Sequence, residues 1–290
     1  MRRFSFVTVD VFTEHRFGGN PLAVFPDARG LSDAEMQALA AEFNLSETTF
    51  VLPAKDEANT ARVRIFNRRT EMPFAGHPNV GTGWVLAQRG HAKNGLLHFE
   101  EIAGLVEVRV EAGLVTIAAP QPLSLGAEMP VDLLAGCVGL GDRDVVVTAH
   151  RPVLASVGNS FVIAEVTAAA LAKAMPDVGK FRAAASVYTA AGADRLPLYL
   201  YAHEGQGLRT RMFSPLSGTI EDAATGSAAT PLAALLLSLG TETEKRYDII
   251  QGVEMGRPSR LLATARRTTD GIRASVGGHC VPVLKGEISL

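Results

Sequence analysis

With only two cysteines in its 290 residues, this sequence offers neither a disulfide framework nor a thiolate metal site. Cys137 and Cys280 are too far apart for a metal or redox motif, so we expect reduced thiols and a cytoplasmic protein. The net charge is −2 and basic residues are scattered, which argues against nucleic acid or a membrane surface as a partner. The longest apolar stretch, residues 231–239, is far shorter than the roughly 20 residues that span a bilayer.

The sequence also lacks the motifs that hold common cofactors. Residues 81–83 (Gly-Thr-Gly) lack the third glycine of a dinucleotide-binding loop and do not directly follow a strand pattern. There is no GxxxxGK[ST] for nucleotide phosphates, no HExxH for zinc and no GxSxG nucleophile elbow. The seven histidines show no metal-ligand spacing. We therefore expect no metal and no organic cofactor, and a small molecule as the partner.

The composition, 47% hydrophobic and 20% charged, is that of a globular protein, and the length favours about two domains. Many short strand patterns occur, with one long apolar helix in each half. The first helix is predicted to begin near Pro78 and the second near Ser227. Residues 120–130, rich in proline and without periodicity, are the best candidate for a linker. We therefore predict domains at 1–119 and 120–290, with the last strand able to return to the first half.

Two segments about half the chain apart resemble each other. Residues 64–79 begin with Arg-Ile-Phe and residues 211–228 with Arg-Met-Phe, and each segment continues through an acidic loop and a glycine turn into an apolar helix. The turn glycines, Gly76 and Gly226, are 150 residues apart. A repeat of this kind predicts two halves of one design, each a strongly curved sheet wrapped round a buried helix.

The two glycine turns are candidate anion sites. The first N–H groups of a helix have no partner within it, and the helix dipole adds partial positive charge there. Gly76 and Gly226 would let a ligand approach the backbone, and Ser227 adds a hydroxyl donor. Either turn alone is more simply explained as helix capping. Because the pattern recurs in both halves, we favour a carboxylate or phosphate site.

Three ionisable residues near these turns could take part in proton transfer. His77 titrates near neutral pH and could give or take a proton, although it could also only cap its own helix. Glu47 lies between a helix and an apolar strand, where burial would suit a carboxyl to general acid–base work; the alternative is an exposed turn residue. Asp222, four residues before Gly226, could orient a substrate amine or a histidine, or could be a solvated loop residue.

Together these stretches resemble the PhzF family, the phenazine-biosynthesis isomerases. The matching segments, in family order, are residues 10–12 (Asp-Val-Phe), 19–24 (Gly-Asn-Pro-Leu-Ala-Val), 44–50 (Asn-Leu-Ser-Glu-Thr-Thr-Phe), 74–78 (Phe-Ala-Gly-His-Pro) and 221–228 (Glu-Asp-Ala-Ala-Thr-Gly-Ser-Ala). The resemblance implies the α+β diaminopimelate-epimerase-like fold. Two pseudo-symmetric halves, each a curved, mostly antiparallel sheet around a central helix, would flank an active-site cleft, and the family suggests a homodimer.

The resemblance also implies roles for the candidate residues. The family's catalytic carboxylate, histidine and aspartate fall on Glu47, His77 and Asp222. Its donors to the substrate carboxylate fall on Gly76, Gly226 and Ser227. The family's named enzyme isomerises trans-2,3-dihydro-3-hydroxyanthranilate, in which one carboxyl takes a proton from a ring carbon and returns it elsewhere on the conjugated system.

Two departures from the family and its relatives bear on function. Ala223 stands where the family often has proline, which changes the stiffness of the loop. Amino-acid racemases of the same fold carry a cysteine at each helix start, whereas residues 75–77 and 224–226 hold none. Two alternatives to the isomerase remain: an epimerase or racemase of a small amino or imino acid that uses Glu47 or His77, and a non-catalytic protein that binds a small carboxylate.

Overall fold

The computed structural model describes residues 1–192 and 195–290. This part of the chain divides into two compact units, Met1–Ala118 with Gly277–Leu290, and Ala119–Val276. In chain order, the first unit contains β1 (Arg3–Val11), β2 (Asn20–Phe25), α1 (Asp33–Phe43), β3 (Glu47–Leu52), β4 (Ala61–Phe66), β5 (Glu71–Met72), α2 (Gly76–Gln88), β6 (Leu96–Glu101), β7 (Gly104–Glu111) and β8 (Leu114–Ala118).

The second unit continues with strands and four helices among the described residues. They are β9 (Ser124–Glu128), α3 (Val131–Cys137), β10 (Val145–Val146), β11 (Val153–Ser156), β12 (Ser160–Val166), α4 (Ala168–Lys173), α5 (Val178–Val187), β13 (Leu198–Glu204), β14 (Gly207–Ser214), β15 (Thr219–Asp222), α6 (Gly226–Ser238), β16 (Glu244–Gln251), β17 (Ser259–Thr268) and β18 (Gly271–Gly278). The last strand, β19 (Cys280–Ser289), belongs to the first unit.

The two units have matching strand orders. In the first unit, neighbouring strands run β19-β1-β2-β3-β4-β6-β7-β8, and only the β2–β3 and β4–β6 pairs are parallel within that series. In the second unit, the series β9-β11-β12-β13-β14-β16-β17 has its parallel pairs at β12–β13 and β14–β16. Each unit is therefore a mostly antiparallel sheet with parallel pairs at corresponding places.

A helix enclosed by the sheet forms the centre of each unit. Both α2 and α6 have 13 residues, ten of them buried. In α2, a Cβ added at Gly81 would lie 2.6 Å from Leu22 on β2, and one added at Gly83 would lie 2.6 Å from Val108 on β7. Strands therefore press on the helix from more than one side, and the Gly-Thr-Gly stretch serves close packing rather than phosphate binding.

The repeated sequence motif corresponds to a repeated ion pair. Arg64 donates through Nε and Nη2 to both carboxylate oxygens of Glu71, at 2.6 Å each. Arg211 does the same to Glu221 at 2.7 and 2.8 Å. Each guanidinium also lies over the phenylalanine two residues on, 5.0 Å from the Phe66 ring and 4.9 Å from the Phe213 ring. In each unit this bidentate pair joins a strand to the acidic loop that leads into the central helix.

One expectation about the second half is wrong, and three of its helices were not predicted. Ser124–Glu128, within the expected linker, form β9 and pair with β11. All five residues of β9 are exposed, so no apolar alternation marks the strand. The sequence reading also missed α3, α4 and α5, which pack in a separate core with β12 and β13. These helices are short, and α4 and α5 are rich in alanine, so they show no clear apolar stripe. Within the described residues, no helix is long and apolar enough to cross a membrane.

Candidate active site

No side chain caps the start of α2, so helix capping does not explain the residues found there. Its N-cap residue, Ala75, has an extended backbone and no side-chain cap hydrogen bond. Gly76 and His77 follow as the first two helical residues, and Pro78, which has no N–H, needs no partner there. The first-turn amides of Gly76 and His77 therefore form a backbone donor site of the kind that binds anions.

Glu47 and His77 lie together in the structure. Glu47 is the first residue of β3, and its Oε2 lies 3.3 Å from His77 Nδ1. The His77 side chain is 6% exposed and that of Glu47 17%. Glu47 is therefore not an exposed turn residue, and the His77 ring contacts a carboxyl group rather than only capping its helix. The structure brings together two residues that are 30 positions apart in the sequence.

Burial determines the charge of the His77 ring. It lowers the pKa of His77 to about 3, so the imidazole is neutral at neutral pH. Its Nε2 atom is buried and has no hydrogen-bond partner among the described residues. The contact with Glu47 is thus one between a carboxyl and a neutral imidazole, in which Nδ1 donates to an ionised Glu47 or accepts from a protonated one.

A hydrogen bond that the sequence did not reveal joins the elements carrying these two residues. Thr49 Oγ1 on β3 and Thr82 Oγ1 on α2 lie 2.8 Å apart and are buried. Each threonine lies further along the same strand or helix than Glu47 or His77. The bond thereby fixes the strand against the helix and with it the distance between the carboxyl and the imidazole. Two threonines 33 positions apart give no sequence signal of such a bond.

The start of α6 is also uncapped. Its N-cap residue, Thr225, makes no side-chain cap hydrogen bond and instead donates its hydroxyl to Asp222 Oδ2 at 2.6 Å. Gly226 and half-buried Ser227 are the first two helical residues. Asp222, at the end of β15, is 8% exposed, so it is not a solvated loop residue. Helix capping by a side chain, the simpler explanation of this turn, is therefore not what the structure shows.

Gln251, which sequence reasoning missed, holds this helix start. Its Nε2 donates to the Asp222 carbonyl at 2.9 Å and to Thr225 Oγ1 at 3.0 Å. Its Oε1 accepts from the Thr225 backbone N–H at 3.2 Å and from the Tyr199 hydroxyl at 3.1 Å. All four residues are buried. A glutamine at the end of a strand, 26 positions from Thr225, carries no sequence signal of this role.

The two cysteines are placed unlike catalytic thiols. Cys137 ends α3 and Cys280 begins β19, so neither is at the start of a central helix. Burial raises the pKa of the Cys137 thiol to about 12 and also raises that of Cys280. Among residues 1–192 and 195–290, no group of three or more His, Cys, Asp or Glu side chains is arranged to hold a metal ion.

The sequence of residues 9–286 matches the family of phenazine biosynthesis-like proteins, PhzC-PhzF. The chain belongs to this family. A curated member, the trans-2,3-dihydro-3-hydroxyanthranilate isomerase of Pseudomonas chlororaphis, is 36% identical, covering 98% of this chain and 99% of the relative. The predictions of the family from the sequence motifs and of its fold are confirmed.

Solved structures show the same fold. A PhzF-family protein from Bacillus anthracis matches with a TM-score of 0.89 at 24% identity, covering 100% of both chains. A protein described as a predicted epimerase from Pseudomonas aeruginosa matches with a TM-score of 0.80 at 31% identity, covering 99% of both chains. The PhzF-family fold extends over the whole chain, and the six predicted site residues lie at the two central helix starts and at the ends of β3 and β15.

Proposed function

We propose that this protein is a PhzF-like isomerase that moves a proton within a small unsaturated cyclic or amino carboxylic acid. Glu47 is the general acid and base, and no cofactor takes part. The observation that carries the proposal is the 3.3 Å contact between Glu47 Oε2 and His77 Nδ1 at the uncapped start of α2. This contact places a carboxyl group that can carry a proton next to a helix start that can bind an anion.

In this mechanism Glu47 takes a proton from one carbon of the substrate and returns it to another carbon of the conjugated system. The electron pair of the broken C–H bond enters that system and forms the new C–H bond after the double bonds shift. Glu47 ends the cycle ionised, as it began, so no external acid, base or oxidant is consumed.

A neutral His77 suits this task. A charged imidazolium would stabilise the ionised Glu47 carboxylate as an ion pair and weaken it as a base. Burial keeps the imidazole neutral, so Nδ1–H can orient the carboxylate by a hydrogen bond without forming that pair. His77 therefore positions Glu47 and weakens it as a base less than an imidazolium would.

The other predicted residues are assigned to substrate binding and orientation. The amides of Gly76 and Gly226 and the hydroxyl of Ser227 are proposed to donate to a substrate carboxylate. Asp222, oriented by the hydroxyl of Thr225, is proposed to orient a substrate amine. The uncapped helix starts and the buried, hydrogen-bonded position of Asp222 support these roles.

The relatives support the isomerase class and the substrate type. The curated relative is named for trans-2,3-dihydro-3-hydroxyanthranilate, and we take this compound as the test substrate. A second candidate, an epimerase of a small amino or imino acid, is favoured by the 31% identical neighbour described as a predicted epimerase. It would have to use Glu47 or His77, because the two cysteines are buried away from the helix starts.

The decisive experiment is proton exchange followed by NMR in heavy water with trans-2,3-dihydro-3-hydroxyanthranilate. We expect the wild-type protein to convert it with uptake of deuterium, and Glu47→Gln to bind it without conversion or exchange. Glu42→Gln, which changes an exposed glutamate on α1, is the control and should behave as wild type. Full turnover by Glu47→Gln would disprove the shuttle, and exchange with loss of optical rotation but no double-bond shift would identify an epimerase.

We also propose that the protein is a cytoplasmic homodimer that works without a cofactor. Family membership supports the dimer, and the absence of cofactor motifs from the sequence supports a mechanism without a cofactor. Light scattering on the purified protein tests the first, with a monomer mass counting against it. Dialysis against a metal chelator should leave turnover unchanged, and activity that is lost and then restored by added metal would refute the cofactor-independent mechanism.

A further inference from the structure

Buried acceptor atoms without donors lie beside the start of α2. Asn79 Nδ2 donates to the carbonyl of the N-cap residue Ala75 at 3.1 Å, while Asn79 Oδ1 is buried without a hydrogen-bond partner. The side chain of Glu101, at the end of β6, interacts with that of Asn79, and both its carboxyl oxygens are also buried without a donor among the described residues. Such atoms are rare in folded proteins, and here one hydrogen added to Glu101 would provide a donor for Asn79 Oδ1.

The internal repeat places Glu101 at the position of Gln251. The two residues are 150 positions apart, the same separation as Gly76 and Gly226 at the helix starts. Each is the last residue of its strand, β6 or β16. Each strand also pairs in parallel with the strand that carries the ion-paired arginine of its own unit, Arg64 on β4 or Arg211 on β14.

The register of the strands gives the same correspondence. On β4, Arg62 lies two residues before Arg64 and pairs with Glu100. On β14, Arg209 lies two residues before Arg211 and pairs with Ile250. The residues that follow on the partner strands are Glu101 and Gln251. Sequence separation and strand pairing thus agree that the two side chains occupy equivalent places.

Gln251 shows what a side chain does at this place. Its neutral amide donates to the Asp222 carbonyl and to Thr225, and it accepts from the Thr225 backbone, so it holds the start of α6. A protonated carboxyl has nearly the shape of an amide and carries one donor as well as acceptors, whereas an ionised carboxylate has acceptors only. Only a neutral Glu101 can therefore do for α2 what Gln251 does for α6.

We propose that Glu101 is a positioning residue for the start of α2, acting as a neutral carboxylic acid that donates its hydrogen to Asn79. Burial raises the pKa of Glu101 to about 8, and this outweighs the opposite effect of the Asn79 side chain. Asn79 in turn holds Ala75, from which Gly76 and His77 follow. The effect on ligand binding rests on the proposed function, whereas the charge state of Glu101 does not.

Three of the charged groups around Glu101 are engaged with other partners. A cavity of about 310 Å³ borders Glu101 and is lined by the charged residues Lys55, Arg62, Arg64, Glu71 and Glu100. Arg64 is held by the bidentate pair with Glu71. Glu100 accepts from the Asn59 side chain and from two backbone amides, which lower its pKa to about 2. Glu100 therefore stays ionised across the neutral range, whereas the pKa of its neighbour Glu101 is raised.

Ionisation of Glu101 would weaken the anion site at α2. The carboxylate would add a negative charge beside a helix start proposed to bind a carboxylate, and it would no longer donate to Asn79. Ligand affinity should therefore fall as the pH rises through the pKa of Glu101. A glutamine at this position, as in the second unit, would remove that dependence.

The charge state is measured first, by ¹³C NMR of the full chain labelled at its glutamate carboxyl carbons. We expect one resonance with a midpoint near pH 8, absent from Glu101→Gln and retained in the control Glu100→Gln. In the same titration, the amide signals of Gly76 and His77 should shift with that midpoint in wild type but not in Glu101→Gln. A Glu101 resonance that titrates in the ordinary carboxyl range would overturn the proposal whether or not the protein is an isomerase.

Ligand binding is then measured by calorimetry with 3-hydroxyanthranilate, an aromatic analogue that cannot undergo the double-bond shift. Between about pH 6.5 and about pH 9.5, wild type should lose roughly tenfold in affinity, whereas Glu101→Gln should stay level. The same alkaline loss in Glu101→Gln as in wild type would refute the positioning role. If the analogue binds to neither protein, the proposed function is in doubt, and the NMR titration alone still decides the role of Glu101.

Discussion

Burial changes what single residues in this protein can do. His77 is kept neutral by its surroundings, with a pKa of about 3 rather than the 6.5 of an exposed histidine. Asp222 and Gln251 are likewise buried and held by hydrogen bonds, so their orientation is set before any ligand binds. At this scale the structure supports pre-organisation, in which the reacting and binding groups need little rearrangement.

The low pKa of His77 predicts a loss of stability in acid. Between about pH 6.5 and about pH 3 the unfolded chain binds a proton at His77 that the folded protein does not, so the free energy of unfolding falls as the pH falls; above that window the effect is absent. At pH 5 this difference in proton binding lowers the free energy of unfolding by about 2 kcal/mol. Urea unfolding at several pH values should show a shallower acid loss for His77→Gln than for wild type. His91→Gln, at an exposed site, should keep the wild-type slope; equal slopes for all three proteins would contradict the neutral buried ring.

Ser227 is predicted to contribute to the affinity for a carboxylate. Ser227→Ala should weaken binding of 3-hydroxyanthranilate by about 1–3 kcal/mol, the range for losing a partner of a charged group. Calorimetry measures the change, with Ser238→Ala at the opposite end of α6 as the control. The Ser238 hydroxyl donates to the Leu235 carbonyl at 2.6 Å and should not affect the ligand. An unchanged dissociation constant for Ser227→Ala would exclude this hydroxyl from the site.

At the scale of elements, each central helix is held by close contacts with its sheet. Gly83 of α2 meets the stiff, β-branched side chain of Val108, and Gly81 meets the end of Leu22 and the β-branched side chain of Val11. The bidentate pairs of Arg64 and Arg211 hold the loops that lead into the helices. The position of each helix start thus depends on packing along the whole helix as well as on its first turn.

Gly83→Ala is predicted to destabilise the protein. The new methyl group would lie 2.6 Å from Val108 Cγ1 and 3.3 Å from Val115 Cγ1, and overpacking of this kind costs about 1–3 kcal/mol, more than alanine gains in helix propensity. Gly136→Ala in α3 is the matched control, because the nearest atom to its added methyl group is 3.9 Å away. It should be neutral or stabilising by up to about 1 kcal/mol. Thermal unfolding compares the two, and destabilisation by both substitutions to the same extent would contradict the packing argument.

At the scale of the whole molecule, the chain returns to its first unit at the end. β19 pairs with all nine residues of β1, from Arg3 with Ser289 to Val11 with Cys280, so strands from opposite ends of the sequence lie side by side. Two strands so far apart in the sequence are expected to pair late in folding. The long loop between them must close before their pairing can stabilise the fold.

Removal of residues 280–290 is therefore predicted to unfold the first unit. β1 would lose one of its two partner strands and expose a long sheet edge that favours aggregation. Limited proteolysis with mass spectrometry should show rapid cleavage within residues 1–118 of the truncated protein. Leu284→Ser, at an exposed position of β19, is the control and should stay resistant. A protease-resistant first unit in the truncated protein would show that β19 is dispensable.

Local sequence signals predicted much of this protein. The two central helices begin at Gly76 and Gly226, within two residues of the starts predicted near Pro78 and Ser227. The weak signals were in the second half, where exposed β9 has no alternation and the short helices α3 to α5 have no clear apolar stripe. Of the candidate site, the residues at the two helix starts could be found because glycine, serine and proline have positional meaning there.

The sequence by itself determined the family, the repeated plan and the residues at each helix start, since these follow from short segments whose residue types restrict the local backbone. Only the tertiary structure decided that His77 contacts Glu47, that Gln251 holds the start of α6, and that Glu101 takes the equivalent place beside α2. Those contacts join residues from different strands and helices. They depend on strand register and on which element lies beside which, and neither is encoded within any one segment.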